Sequence, residues 1–207
     1  IRDRAYAAMI SAAFFEDDVE ELVKLAVDAV PNNGPFAEGI RDVIRWYGQH
    51  DDWRVTRQLI HDKYWAYKST ELEAPVSIVS SLNNGLTGIM ALLYGEGEYT
   101  KTVGIATSAG YDSDNQAATL GGLIGTMRGM TGLNADVVTR MKTLDASWEW
   151  DKPFNDTYVN ISRDEIALRT PITEIAARIV TIAEQAIRDK GGRIISNNGE
   201  IYYVGNS

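Results

Sequence analysis

The sequence predicts an all-α protein, a compact multi-helix array that closes with a short C-terminal β-hairpin. Three observations carry this expectation. Apolar residues recur with a helical period along most of the chain. Asp before the periodic segments and Gly or Pro after them mark helix starts and stops. No heptad persists, which excludes a coiled coil, and the end of the chain departs from the helical pattern. With 207 residues, 44% of them hydrophobic, the chain can bury roughly 70% of the surface its unfolded state exposes. That fits one domain or two small ones, with 1–190 read as helical and 191–207 as a terminal hairpin.

The elements follow in order. Ala5 to Phe15 is small or apolar nearly all round, which suits a buried helix. Asp17 is expected to open a second helix, with Glu20 three residues on as a capping-box variant and Leu22, Leu25, Ala26 and Ala29 as its stripe. Pro31 to Pro35 breaks it. A third helix is expected from Phe36 to Tyr47, with Ile40, Val43, Ile44 and Tyr47 on one face. Asp51 or Asp52 caps a fourth, carrying Val55, Leu59, Ile60 and Tyr64. Glu73-Ala74-Pro75 marks a loop. Helices follow from Ser80 to Tyr94, ended by Gly95, and from Tyr99 to Ala109. Gly110-Tyr111 reads as a tight turn, and Asp112 starts a helix reaching Met130. A short helix is expected over Ala135 to Leu144, and Pro153 to Thr157 reads as irregular. Thr173 to Lys190 is amphipathic, with Ile175, Ile179, Ile182, Ala183 and Ala186 inward. Arg193 to Ile195 and Glu200 to Val204 flank an Asn-Gly turn, a hairpin signature.

Composition excludes several functions. Without cysteine there is no thiolate zinc site, thiol catalysis or disulfide framework. A net charge of −9 makes nucleic acid a poor partner. No stretch approaches the ~18 consecutive apolar residues of a membrane span. No signal peptide is visible, and the compartment, cytoplasmic or secreted, stays open. The chain begins at Ile1, already inside a helical pattern, so an upstream segment is expected.

One packing signature stands out. Ala117, Gly121, Gly125 and Gly129 recur every four residues, beside Ala118 and Gly122. Glycine costs up to about 1 kcal/mol in a helix interior. Such a stripe implies a flat face where another backbone approaches closely.

The chemistry concentrates at Gly110-Tyr111-Asp112-Ser113-Asp114-Asn115. Two carboxylates at a turn can point the same way, and hard cations such as Mg²⁺ take oxygen ligands. Alternatively, Asp at a helix start satisfies orphan N–H groups and complements the helix dipole. Both readings fit these residues. A calcium loop does not, because the sixth position is Ala117 and the twelfth Leu123. His50 and His61 share no metal spacing and read as structural or solvent-facing. The five tryptophans, at 46, 53, 65, 148 and 150, read as packing.

The wider context resembles the ADP-ribosylglycohydrolase family over most of residues 1–170. The resemblance rests on Ser81-Leu82-Asn83-Asn84-Gly85-Leu86, on Ala91 to Tyr99, on Lys101 to Ala106, and on Ala109 to Gly125 with its Asp-x-Asp. Phe14 to Asp18 and Leu168-Arg169-Thr170 add to it. Members are all-α and hold two Mg²⁺ ions. The resemblance implies that Asp112 and Asp114 are metal ligands, joined by Asn115 where the family usually has Thr. It suggests a substrate-contacting role for Gly110 and for Tyr111, whose ring otherwise serves packing; Asn83 and Asn84 read either as contacting substrate or as bonding to backbone and neighbouring loops, Asn84 being the candidate contact. Tyr111 stands where the family has Gly or Trp.

The family's other metal ligands come from an N-terminal Asp-Asp motif that does not occur here, since Glu16-Asp17-Asp18 reads as a helix cap. The chain is therefore expected to carry half of a site, completed by a missing N-terminal segment or a second chain. The implied activity is hydrolysis of an ADP-ribosyl or related N- or O-glycosidic bond, through an oxocarbenium-like centre. No general acid or base is assigned. The alternative is a non-catalytic helical module, for which the family's lens crystallin is a precedent.

Overall fold

A computed structural model describes residues 2–67, 77–129, 156–160, 167–197 and 200–204. The chain divides into two compact units, Ile1–Thr139 and Arg140–Ser207. Among the described residues the first unit is wholly helical: α1 (Arg2–Ala12), α2 (Val19–Asp28), α3 (Pro35–Tyr47), α4 (Trp53–Tyr64), α5 (Ser81–Gly95), α6 (Tyr99–Ser108) and α7 (Ser113–Arg128). The all-α expectation holds.

The organising element is α5. Every residue from Asn83 to Gly95 is buried, and α1, α2, α3, α4, α6 and α7 all pack against it. A helix apolar all round must be enclosed on all sides. Its glycines let neighbours close in. A Cβ at Gly88 would collide with the Tyr6 hydroxyl and Gln116 Oε1, and one at Gly95 would collide with Thr102 of α6. The helix ends on Glu96, whose φ of 54° lies in the left-handed region.

Two expectations are corrected here. The enclosed helix is α5, not α1. Only Ala5, Tyr6 and Met9 of α1 are buried, and Phe14 and Phe15 just beyond it are 69% and 85% exposed. A run of small residues is compatible with burial, but only large side chains make burial necessary. Among the described residues the stripe on α7 makes no close crossing either. Gly121 meets Tyr99 and Val103 at ordinary contact distance, and among the described residues Gly122, Gly125 and Gly129 meet nothing within 4 Å.

The caps follow local chemistry, with one shift. Asp18, not Asp17, caps α2, its carboxylate accepting from the N–H of Glu20 and Glu21. Val23 is buried while Leu25 is exposed. Asp52 caps α4, and Glu98 caps α6. Between α3 and α4, buried Asp42 accepts hydrogen bonds from Lys63 Nζ at 2.5 Å and the Tyr64 hydroxyl at 2.7 Å. Arg45 pairs with its other oxygen at 2.6 Å.

In the second unit, β1 (Tyr158–Val159) pairs antiparallel with β2 (Arg169–Thr170), a sheet the sequence reading missed. Helix α8 (Ile172–Asp189) follows. Asp156 secures its start, accepting from the Thr173 N–H and hydroxyl, both at 2.8 Å. Among the described residues none of α8 is buried. Ile179 and Ile182, expected inward, are 61% and 69% exposed. The expected hairpin is present: β3 (Arg193–Asn197) pairs with β4 (Glu200–Val204), and Asn197 lies opposite Glu200. The helix expected over 135–144 and the loop at 73–75 lie outside the described residues.

Candidate metal and substrate site

The Asp-x-Asp stretch sits where α6 turns into α7. Helix α6 ends at Ala109, and two left-handed residues follow, Gly110 at φ 83° and Tyr111 at φ 60°. Glycine adopts this region freely. For a tyrosine it costs about 1–2 kcal/mol, so other contacts must hold it there.

Those contacts come from α4 and the residue that caps its end. The Tyr111 hydroxyl and His61 Nδ1 are hydrogen-bonded at 2.7 Å. The Tyr111 ring stacks on Trp65 at 5.3 Å between centroids. The Arg57 guanidinium lies over the same ring at 4.6 Å, and its Nε donates to the Ala109 carbonyl at 3.1 Å. His61 in turn stacks on Trp65. Burial pushes the Tyr111 hydroxyl above the usual tyrosine range, with Arg57 opposing in part.

None of the three was assigned to the site from the sequence: His61 read as structural or solvent-facing, Trp65 as packing, and Arg57 drew no reading. Their signal was the four-residue spacing that places them on one helix face. What hid it was that their partner lies 50 residues away.

Asp112 occupies the N-cap position of α7, with its carbonyl accepting from the Gln116 N–H at 3.1 Å. Its carboxylate makes no capping bond. The cap reading therefore holds for the backbone and fails for the side chain. The Asp112 N–H donates to Asn84 Oδ1 at 2.9 Å. Asn84, fully buried, donates through Nδ2 to the carbonyls of Ile78 and Ser80 at 2.8 and 3.0 Å. The structure thus gives Asn84 to the main chain of the loop. Neighbouring Asn83 is also fully buried and donates to the Tyr64 carbonyl.

Asp112 is half-buried, while Asp114 and Asn115 are exposed. Asn115 borders a cavity of about 290 Å³ between α1 and α7, shared with Arg2, Asp3, Tyr6 and Thr119. Beneath it the Tyr6 hydroxyl donates to the Gly85 carbonyl at 2.9 Å, with Gln116 Oε1 at 3.5 Å. This locks the first turn of α7 onto α5 and α1.

The donors suit a hard cation in kind. Two carboxylates and an amide oxygen lie within four residues, and the Asp112 carboxylate is not spent on the helix end. They fall short in number. Among the described residues no three His, Cys, Asp or Glu side chains converge as a metal-binding group.

No curated protein and no solved structure matches this chain. The family model described as ADP-ribosylglycohydrolase matches residues 3–180. That family's activity is hydrolysis of ADP-ribose linkages, and it is generally metal-dependent. With most of its length matched, and with an all-α architecture, the chain belongs to the ADP-ribosylglycohydrolase family.

Proposed function

We propose that this chain carries the Asp-x-Asp half of a Mg²⁺-dependent hydrolase that cleaves ADP-ribosyl or related N- or O-glycosidic bonds. The observation that carries the reading is the state of Asp112. It stands at a helix N-cap position, yet its carboxylate is withheld from the cap while its N–H is tied to a buried asparagine. At the chain's other acidic N-caps among the described residues, Asp18, Asp52 and Glu98, the carboxylate does accept from the first-turn N–H groups.

In this reading Asp112, Asp114 and Asn115 hold the metal through oxygen. Gly110 and Tyr111 shape the adjoining surface, and Asn84 sets the height of the loop. The chemistry a bound ion supplies is orientation of ribose hydroxyls and a water, with stabilisation of charge as the bond breaks. The remaining carboxylates and the general acid or base come from an N-terminal segment or a second chain. The family's two-ion centre would need both contributors.

The test is Asp112→Ala with Asp114→Ala in the complete protein. Loss of both Mg²⁺ binding and hydrolysis of an ADP-ribosylated substrate is expected. Unchanged hydrolysis with unchanged Mg²⁺ binding sinks the reading.

A second reading is favoured by one observation, the lack of a three-residue metal group among the described residues. It makes the chain a non-catalytic helical binding or structural module of the same fold. Mg²⁺ binding by the complete protein separates the two.

A further inference from the structure

We infer that Arg57, His61 and Trp65 are positioning residues, whose function is to hold the Asp112 loop in its ligand-presenting conformation. The inference rests on the metal reading of Asp112 for its purpose, but not for its geometry.

The loop is pinned at three of its four residues by side chains from elsewhere in the bundle. Arg57 Nε holds the Ala109 carbonyl at 3.1 Å. His61 holds the Tyr111 hydroxyl at 2.7 Å, while Trp65 and the Arg57 guanidinium hold the ring. Asn84 Oδ1 holds the Asp112 N–H at 2.9 Å. The unpinned residue is Gly110, whose φ of 83° needs no side chain to sustain it.

A glycine at position 111 would supply the same left-handed turn without strain. It would also leave the next residue on a hinge of two consecutive glycines. Tyrosine accepts strain in exchange for a side chain that α4 can grip. The gain lies in order before binding. A loop already in its bound conformation loses less entropy when a ligand arrives. Residues that orient metal ligands in this way typically change metal affinity by about 10–100-fold when removed.

This role is separable from ordinary packing. Arg57 and His61 are only partly buried. Buried Thr56, Ile60 and Tyr64 hold α4 in the bundle without them.

The experiment uses the complete protein, with its N-terminal segment or second chain, carrying His61→Ala, Arg57→Ala and Tyr111→Gly, and with His61→Gln as the conservative replacement. Two quantities are read: amide hydrogen exchange without metal, and binding of Mn²⁺ as a paramagnetic stand-in for Mg²⁺. Faster exchange confined to residues 109–112 is expected in the first three variants, with α4 and α5 amides unchanged. Mn²⁺ affinity is expected to fall about tenfold or more. His61→Gln is expected to restore both, since its side-chain amide can still bond to the tyrosine hydroxyl.

Wild-type exchange at Asp112 in Tyr111→Gly and His61→Ala overturns the inference. So does faster exchange spread over the whole bundle, which marks a purely structural role. Local loosening with no Mn²⁺ bound even by the unchanged complete protein overturns the metal reading instead, and leaves the positioning standing.

Discussion

Asn84 Oδ1 accepts the backbone N–H of Asp112 at 2.9 Å, a bond that spans 28 residues and joins the start of α5 to the start of α7. The other half of the same amide donates to two carbonyls of the preceding turn. Removing it leaves the Asp112 N–H and the Ile78 carbonyl without this partner in a part-buried position, while the Ser80 carbonyl keeps the backbone N–H of residue 84. Asn84→Ala is therefore expected to lower stability by about 1–3 kcal/mol, the usual cost of orphaned buried polar groups. Asn84→Asp is expected to be at least as severe, because a carboxylate cannot donate to the Ile78 and Ser80 carbonyls. Urea unfolding of the two variants checks the order, and equal stability of all three proteins contradicts it.

Glycine substitutions are expected to divide by sign. A methyl group at Gly88 or Gly95 runs into the Tyr6, Gln116 or Thr102 side chains, and at Gly95 also into the Thr102 backbone. Gly88→Ala and Gly95→Ala should each cost about 1–3 kcal/mol. Exposed Gly122 sits inside α7 with nothing within 4 Å among the described residues. Gly122→Ala should raise stability by about 0.5–1 kcal/mol through the unfolded chain's entropy. Thermal midpoints of the three variants decide the matter.

These glycines show where sequence reading succeeds and where it stops. Local chemistry was legible. Asp52 and Gly95 marked real helix ends, and the Asn-Gly hairpin pairs as expected. Questions about partners were not. Spacing along α7 showed that its glycines align, but it could not show what they face. The glycines that neighbours crowd are on α5, at Gly85, Gly88 and Gly95. The same limit hid the site's supports. The Gly110–Asn115 stretch was recognisable as a helix start with two carboxylates. The grip of Arg57 and His61 on the turn depends on a helix 50 residues earlier. Only folding brings the two together.

Asp42 links the fold to pH. Burial alone would raise its carboxyl, but the hydrogen bonds from Lys63, Tyr64 and Arg45 outweigh that and hold it below the ordinary carboxylate range. A depressed folded value contributes stability above the unfolded carboxylate value of roughly 3.9. That stability is lost as pH falls through the lower folded value. The unfolding midpoint of the native chain should drop through this acid window. Asp42→Asn should be less stable at neutral pH and show a shallower fall. Parallel curves for the two proteins would exclude Asp42 as the source.

The tyrosines report the opposite limb. Tyr6, Tyr47, Tyr64, Tyr94 and Tyr111 are all held above the usual tyrosine range, burial being the largest cause for each. Of the chain's ten tyrosines, these five should therefore resist ionisation near pH ~10, where free tyrosine titrates. A raised folded value means stability is fully present below the unfolded value and is lost as pH rises through the folded one. Absorbance titration of the folded protein should show these five ionising late, Tyr6 and Tyr64 last, and together with unfolding. Tyr111→Phe should delete one late-titrating group and leave Tyr6 and Tyr64 untouched. If all ten titrate together near the free value while the protein stays folded, the hydroxyls of Tyr6 and Tyr64 are not enclosed, and the bond from Tyr6 of α1 to the Gly85 carbonyl of α5 does not hold in solution.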